Sequence, residues 1–397
     1  ALVQVGDVTD GSSIVFDNTP PTLTAVIMGS NNTSDSSLAK ANETVTLTIV
    51  ANEPINQPIC AFTGIRDTSI VYGRDIETCF ATNAGTNDAE CAGADISGDA
   101  TVSESNCKAA GACTYTNSAR TCTATLTSGD TPGPVGFTIN GSDIAGNQLV
   151  EVDAVTHGTA VTFDEGVPTL TAVGISSSPN TATSLAKPGD TVILTFTAGE
   201  PISSPTCAFQ SGGAAVGSTV TVAETSGNGT GWTCSVPMTT GDTEGPVTFT
   251  INATDLAGNP LSQVTSVTDS SSMSFDSTAP TLTAVSIESN NNNDTTLAKA
   301  GNIVTLTINA NETVQEPTCV FPGLASADGV TVAGSGSNWT CSVTTATNDT
   351  AGVIAFEIDA TDTAGNALST VDSTTDSSSV TFDDTAPTLT VTQSPAA

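Results

Sequence analysis

Basic side chains are scarce in this chain: its 397 residues hold 7 Lys and Arg against 41 Asp and Glu, a formal charge of −34. So few cations cannot displace counterions from a phosphate backbone, which excludes nucleic-acid binding as a main function. The same balance argues against docking on anionic lipid. No apolar run approaches the ~20 residues that cross a bilayer, so direct membrane insertion is not expected. Nothing at the N-terminus reads as a signal peptide. Histidine occurs once, at His157, and aromatic residues make up only 4%. No Ser/His/Asp set can be assembled from one histidine, and no Gly-rich loop precedes a helix, so an enzyme is not expected.

What the chain has is alternation. Val192, Leu194, Phe196 and Ala198 alternate with Thr and Ile, and Val247, Phe249 and Ile251 alternate with Thr. Period-2 patterning, β-branched enrichment and Gly/Asn/Pro punctuation are strand and turn signals, and no segment beyond two turns carries a helical period. The chain reads as all-β.

Internal repetition organises it. PTLTAV begins at Pro21, Pro168 and Pro280, a shortened PTLTV begins at Pro387, and a Phe-Asp pair precedes each, ending at Asp17, Asp164, Asp276 and Asp383. The same stations then follow in order in every unit. A LAK loop carries Lys40, Lys187 or Lys299, and a strand ends at Glu53, Glu200 or Glu312. Two cysteine stations come next, then a DxAGN turn at Asp143, Asp255 or Asp362. About seven short strands in ~105–110 residues is the pattern of an immunoglobulin-like sandwich. The expected organisation is three tandem seven-stranded sandwiches, 17–163, 164–275 and 276–382. Residues 1–16 align with Ala367 to Phe382 and read as the last strand of a preceding unit; 383–397 reads as the first strand of a following one. An unpartnered apolar strand is an aggregation liability, so two readings follow: the sequence is a stretch of a longer array, or neighbouring subunits donate terminal strands to each other.

The runs DxTAPTLT (Asp276 to Thr283, Asp383 to Thr390), LAKxGDTVxLTF (Leu185 to Phe196) and TDxAGN (Thr254 to Asn259) resemble the tandem Ig-like repeats of very large surface proteins. Such repeats occur in bacterial adhesins and in the shafts of surface appendages such as mastigonemes. The resemblance implies the repeat type and says little of function, because sandwich repeats serve as spacers, adhesins and enzyme accessories alike.

Ten cysteines at repeating stations indicate disulfides and an oxidising, extracellular setting. One pair per unit is expected: Cys207–Cys234, Cys319–Cys341, and Cys60–Cys122 stretched around an insertion. That insertion, an inserted disulfide-laced loop, holds Cys79, Cys91, Cys107 and Cys113, which can pair in three ways. Metal ligation by cysteine is disfavoured by the single histidine and the lack of CxxC spacing. Sequons make N-linked glycans expected at several of Asn140, Asn252, Asn228, Asn311, Asn338 and Asn348, with the first two foremost; Asn31, Asn32, Asn42 and Asn293 also fit the motif.

The strand-end Glu, the DxAGN Asp and the linker Asp belong at the pole where the chain enters each sandwich. Three trios follow: Asp17, Glu53 and Asp143; Asp164, Glu200 and Asp255; Asp276, Glu312 and Asp362. Calcium takes six to eight oxygens and suits such a junction. The other reading is an ordinary turn in which Asp bonds local amides and Gly takes positive φ. Trp232 and Trp339 read as covers over the disulfide edge, or as a carbohydrate-stacking platform. The lysines read as solvated loop residues, or as partners of carboxylates on a neighbouring copy. The expected function is mechanical, the rod or shaft of an extracellular filament, with copies of the chain and adjacent Ig-like units as partners; the alternative is a calcium-stiffened adhesin arm.

Overall fold

The computed structural model describes residues 16–66, 69–81, 113–158, 160–180, 184–325 and 327–391, with backbone alone for 74–81, 113–118 and 328. It is all-β; one three-residue 3₁₀ turn, Ala327–Gly329, is the exception among the described residues.

The first repeat runs through β1 (Leu23–Ser30), β2 (Leu38–Ala39), β3 (Thr44–Ala51), β4 (Ile59–Thr63), β5 (Val71–Ala81), β6 (Cys113–Thr125), β7 (Gly133–Pro134), β8 (Gly136–Asn140) and β9 (Thr162–Phe163). The second supplies β10 (Leu170–Ser178), β11 (Leu185–Ala186), β12 (Thr191–Ala198), β13 (Thr206–Ser211), β14 (Ala214–Ala215), β15 (Thr221–Glu224), β16 (Gly231–Pro237), β17 (Gly245–Asn252) and β18 (Ser274–Phe275). The third supplies β19 (Leu282–Ser289), β20 (Leu297–Ala298), β21 (Ile303–Ala310), β22 (Thr318–Val320), β23 (Thr331–Ser335), β24 (Asn338–Thr344), β25 (Gly352–Val353), β26 (Glu357–Asp359) and β27 (Thr381–Phe382).

Each repeat forms one four-stranded sheet, in the orders β1-β3-β6-β5, β10-β12-β16-β15 and β19-β21-β24-β23. The opposing layer of the second repeat runs β11-β18-β17-β13-β14, with β11 parallel to β18. These are the ABED and CFG sheets of an immunoglobulin constant-type sandwich. Alternation explains the burial: in β12 the residues Val192, Leu194, Phe196 and Ala198 are buried while their neighbours face outward. Val247, Phe249 and Ile251 of β17 close the core from the other sheet.

The opening strand of every repeat carries the same irregularity, a register shift between Leu23 and Ala25, Leu170 and Ala172, and Leu282 and Ala284. The threonine at each bulge covers a partner-strand carbonyl: Thr24 Oγ1 donates to Val50 O at 3.3 Å, Thr171 Oγ1 to Thr197 O at 3.3 Å and Thr283 Oγ1 to Asn309 O at 3.1 Å. This accounts for the recurrence of TLTA, since a bulge leaves backbone groups that a hydroxyl can serve.

Disulfides join Cys60 to Cys122, Cys207 to Cys234 and Cys319 to Cys341, with Cα–Cα separations of 6.4, 6.3 and 6.3 Å. Each ties one sheet to the other and sets the domains in an oxidising compartment, extracellular or at a cell surface.

The described flanks of the first-repeat insertion extend a hairpin, with β5 and β6 paired from Val71↔Thr123 to Ala81↔Cys113. Its TYTNSARTCTAT alternation carries the ladder on. Cys91 and Cys107 lie outside the described residues, as do the side chains of Cys79 and Cys113 and all of 1–15. Residues 383–391 carry no assigned strand, and Leu389 and Val391 are exposed.

By packing, the chain falls into two compact units. The first comprises the described part of Ala1–Thr169 with two loops of the second repeat, Gly199–Pro205 and Asn252–Ser262. The second comprises Leu170–Ala198, Thr206–Ile251 and the described part of Gln263–Ala397.

Candidate functional site

Each repeat has an entry pole built from three pieces: the linker Asp, the loop after the second long strand, and the DxAGN turn. The turn is a closed hydrogen-bond unit. Asp362 Oδ1 accepts from Gly365 N at 2.6 Å and Asn366 N at 2.9 Å, while Oδ2 accepts from Asn366 Nδ2 at 2.8 Å. Asp143 repeats the set with Gly146 N, Asn147 N and Asn147 Nδ2 at 2.6, 2.8 and 2.7 Å. Asp255 accepts from Asn259 N and Nδ2, both at 2.8 Å. All three aspartates are buried. Glycine is required at its station because φ is +99°, +92° and +93° at Gly146, Gly258 and Gly365.

The asparagine of each turn also reaches the linker. Asn147 Nδ2 donates to Asp17 O at 3.3 Å, Asn259 Nδ2 to Asp164 O at 3.0 Å and Asn366 Nδ2 to Asp276 O at 3.1 Å. On its other side the linker Asp is held by the repeat before it. Asp164 N donates to Ala39 O at 2.8 Å and Asp276 N to Ala186 O at 2.9 Å. A single residue is thus clamped from both repeats that it joins. Its carboxylate closes a local turn as well, accepting from Thr19 N, Gly166 N or Thr278 N.

The three acidic trios come together as the sequence places them. In each of Asp17/Glu53/Asp143, Asp164/Glu200/Asp255 and Asp276/Glu312/Asp362, one carboxylate oxygen per residue lies within 4.8 Å of the others. Burial pushes the Glu200 carboxyl up, and the charges of Asp164 and Asp255 push it further. Glu312 is raised by burial and then by Asp276 and Asp362, and Asp276 by burial, with Asp362 and Glu244 adding to it against the Thr278 amide. Asp143 behaves otherwise. Burial works against its charge, but bonds from Asn147, Gly146 and Ala145 outweigh that and hold it below the ordinary value.

Two of the three loop lysines, Lys40 and Lys187, lie against the following repeat, while Lys299 is exposed. Lys40 of the first repeat donates from Nζ to Gly258 O at 2.8 Å, and Asn32 Nδ2 donates to Ala257 O at 2.8 Å. At the next junction Asn180 Nδ2 donates to Ala364 O at 2.9 Å, and Lys187 lies across Gly365. The LAK loop of one repeat therefore seats the DxAGN turn of the next. The sequence displayed the repeating lysines but not their partner, because the contact joins stations 218 residues apart. Glu244 was also invisible: Oε1 accepts from Ser277 N at 3.0 Å and Ser277 Oγ at 2.8 Å, fixing the linker into the third repeat alone.

Trp232 is buried and its Nε1 donates to Gly229 O at 3.0 Å; Trp339 does the same to Gly336 O and packs on the third core. His157 lies beside Thr156, whose hydroxyl is 2.8 Å from Nδ1. Of the glycosylation candidates, Asn228, Asn252, Asn311, Asn338 and Asn348 are exposed and Asn140 is half-buried, its Nδ2 on Glu151.

No protein-family model and no curated protein sequence is similar to the chain. Among solved structures it is similar to the I9–I11 tandem of titin, at 10% identity over 87% of this chain and 94% of that one, with a TM-score of 0.31. The full Ig1–Ig3 ectodomain of mouse nectin-like molecule 4 matches at 10% identity over 89% and 99%, TM-score 0.24. The N-terminal eight Ig domains of Down syndrome cell adhesion molecule match at 14% over 89% of this chain and 36% of that chain, TM-score 0.26. At such scores the fold assignment stands on the strand order of each sandwich.

Proposed function

We propose that the chain is a structural stretch of a large secreted glycoprotein whose Ig-like repeats form the rod or shaft of an extracellular filament or surface appendage. The observation that carries this reading is the clamped linker Asp, anchored by its N–H to the preceding repeat and by its carbonyl to the following one. Flexible bead-on-string arrays leave linkers free; here the same residue is tied at both junctions, and a load-bearing strut needs joints that do not swivel. N-linked sugars on the exposed sequons would coat such a shaft. Electron microscopy of the native material tests it by the presence or absence of an axial repeat.

A calcium-stiffened adhesin arm is the second reading, favoured by the three carboxylate trios. Their donors fit a hard cation: each trio offers at least three carboxylate oxygens, and burial followed by charge repulsion raises Glu200 and Glu312, a repulsion that a divalent ion would relieve. Asp17, Glu53 and Asp143 would hold one ion, Asp164, Glu200 and Asp255 a second, and Asp276, Glu312 and Asp362 a third. Titration calorimetry with calcium separates the readings. Heat from three sites, lost in Glu200→Gln and Glu312→Gln at their own junctions, supports the ion; no heat at millimolar calcium leaves the trios as parts of turns.

A further inference from the structure

We propose that the turn between β15 and β16 of the second repeat promotes the loss of ammonia from its own Asn228, so that this residue, where it carries no sugar, converts to aspartate and isoaspartate. The proposal stands apart from the shaft reading, because it depends on the geometry of one turn.

Asn-Gly occurs twice in the chain, at Asn140-Gly141 and Asn228-Gly229, each time within a sequon. A glycine after asparagine leaves its amide nitrogen unshielded by a Cβ, which favours attack by that nitrogen on the asparagine side chain. The two copies have opposite surroundings. Asn140 ends β8, held extended in a ladder against Ile59, and its Nδ2 donates to Glu151 Oε2 at 2.8 Å. The group that would have to leave is therefore tethered, on a backbone fixed by its neighbour strand.

Asn228 is exposed, between Gly227 at φ +70° and Gly229 at φ +75°. Here the bonds fall on the side-chain oxygen: Oδ1 accepts from Thr230 N at 3.2 Å and from Thr230 Oγ1 at 2.7 Å. The first of these closes an Asx ring that contains both Cγ of Asn228 and the Gly229 nitrogen, so the two atoms to be joined belong to one small ring. Both donors polarise the side-chain carbonyl and stabilise the charge that collects on Oδ1 as Cγ becomes tetrahedral. Gly229 N donates to Glu224 Oε1 at 2.5 Å, so the nucleophile's proton already has a carboxylate within reach. Trp232 Nε1 on Gly229 O at 3.0 Å, and Gly231 N on Ser226 Oγ at 2.8 Å, hold the turn to the hairpin. Nucleophile, base and oxyanion donors thus meet in a single turn.

The reaction balances with water alone. The Gly229 nitrogen bonds to Cγ of Asn228 as its proton passes to Glu224. The Cγ–Nδ2 bond then breaks, the proton on Glu224 goes to Nδ2, and ammonia leaves a cyclic succinimide. Water opens either carbonyl of that ring, giving aspartate or isoaspartate at position 228; nothing is oxidised or reduced. Nδ2 is also the atom that a sequon glycan occupies, so sugar and ammonia loss are alternative fates of one nitrogen. Conversion destroys the sequon and sets a new carboxylate in the turn beside Glu224.

Peptide mass mapping of the chain produced without N-linked sugars, over a time course at neutral pH, tests this. Conversion at position 228 should outrun conversion at 140 by about tenfold or more in the folded chain, and the two should run alike in urea. Glu224→Gln still offers an oxygen to Gly229 N but cannot take its proton, and Thr230→Val keeps the backbone donor while removing the hydroxyl. Each should slow position 228 about tenfold and leave 140 unchanged. Unaltered Trp232 fluorescence in a Trp339→Phe background shows that the turn is kept, because Trp232 Nε1 is bonded to Gly229 O. Conversion at 228 no faster than at 140 overturns the proposal, as does a difference that persists in urea. A rate in either variant that is within about threefold of the parent's, or above it, also overturns it, since the bond to Glu224 would then shield the nucleophile instead of activating it.

Discussion

Replacing Asp362 by alanine probes the turn that every junction depends on. The carboxylate is 0% exposed and accepts three hydrogen bonds, from Gly365 N, Asn366 N and Asn366 Nδ2. Bonds to a charged acceptor contribute ~1.5–3 kcal/mol each, and a donor left buried and unpaired costs ~1–3 kcal/mol. Asn366 Nδ2 keeps Asp276 O, so two backbone amides bear the loss. Relief of repulsion with Asp276 and Glu312 offsets part of it. The net expected cost is about 2–4 kcal/mol, confined to the third repeat. Asp362→Asn keeps one oxygen for both amides but turns an NH₂ toward Asn366 Nδ2, and should cost about half as much. In a Trp232→Phe background Trp339 is the sole tryptophan and reports the third repeat alone; urea melts of that fluorescence, in chelator, give the difference. A loss below ~0.5 kcal/mol for Asp362→Ala would show that the turn is held by something other than its aspartate, and the account of the poles would fail.

Other expectations follow from the same geometry. Glu200 and Glu312 titrate above the ordinary carboxylate value in the fold, so each costs stability that sets in as pH rises from the ordinary value through the raised one and is fully present at neutral pH. Glu200→Gln and Glu312→Gln should therefore melt higher than the parent at pH 7 in chelator and equally at pH 3; a lower melting point at pH 7 would contradict the cost of burying these charges beside other carboxylates. Opening Cys207–Cys234 by paired serine substitution should cost ~3.5 kcal/mol by loop entropy for 27 residues, and Cys60–Cys122 about 4.3 kcal/mol for 62; denaturant titration reads both, and the reverse order would refute the loop-length argument. Asn259→Ala removes bonds to Asp255 and Asp164 together, and should speed amide exchange over Asp164–Thr169 at least tenfold with the second core unaffected. Peptide mapping of native protein should find sugars at exposed Asn228, Asn252 and Asn348 and none at Asn32, whose Nδ2 is inside the first junction.

Much of the fold was legible because it is periodic. Two-residue alternation in DTVILTFTA names the buried face of β12 residue by residue, and three copies of one motif order give the strand sequence, the disulfide partners and the three trios. Less was legible where a contact joins stations distant in the chain. Lys40 recurs at its loop like any surface lysine until the structure sets it on Gly258, and Asn32 reads as a sequon until its amide is found on Ala257. The flanks of the insertion were also less legible, because four cysteines draw the eye to a disulfide-laced loop while the alternation beside them extends a hairpin to Ala81 and Cys113. The last strand also shrank, to Thr162–Phe163 and an isolated bridge from Ile139 to Val152, since Asp, Ser and Gly between them break the ladder.

The central claim, that clamped Ig-like repeats build a shaft, meets its most direct test in electron microscopy of native material. Strands of about eight to ten residues make a sandwich ~35 Å long. A filament with an axial repeat near 100 Å, or a fraction of it where copies overlap, is the result expected. Separate flexible strands that collapse on chelation of calcium would contradict it and support the adhesin arm.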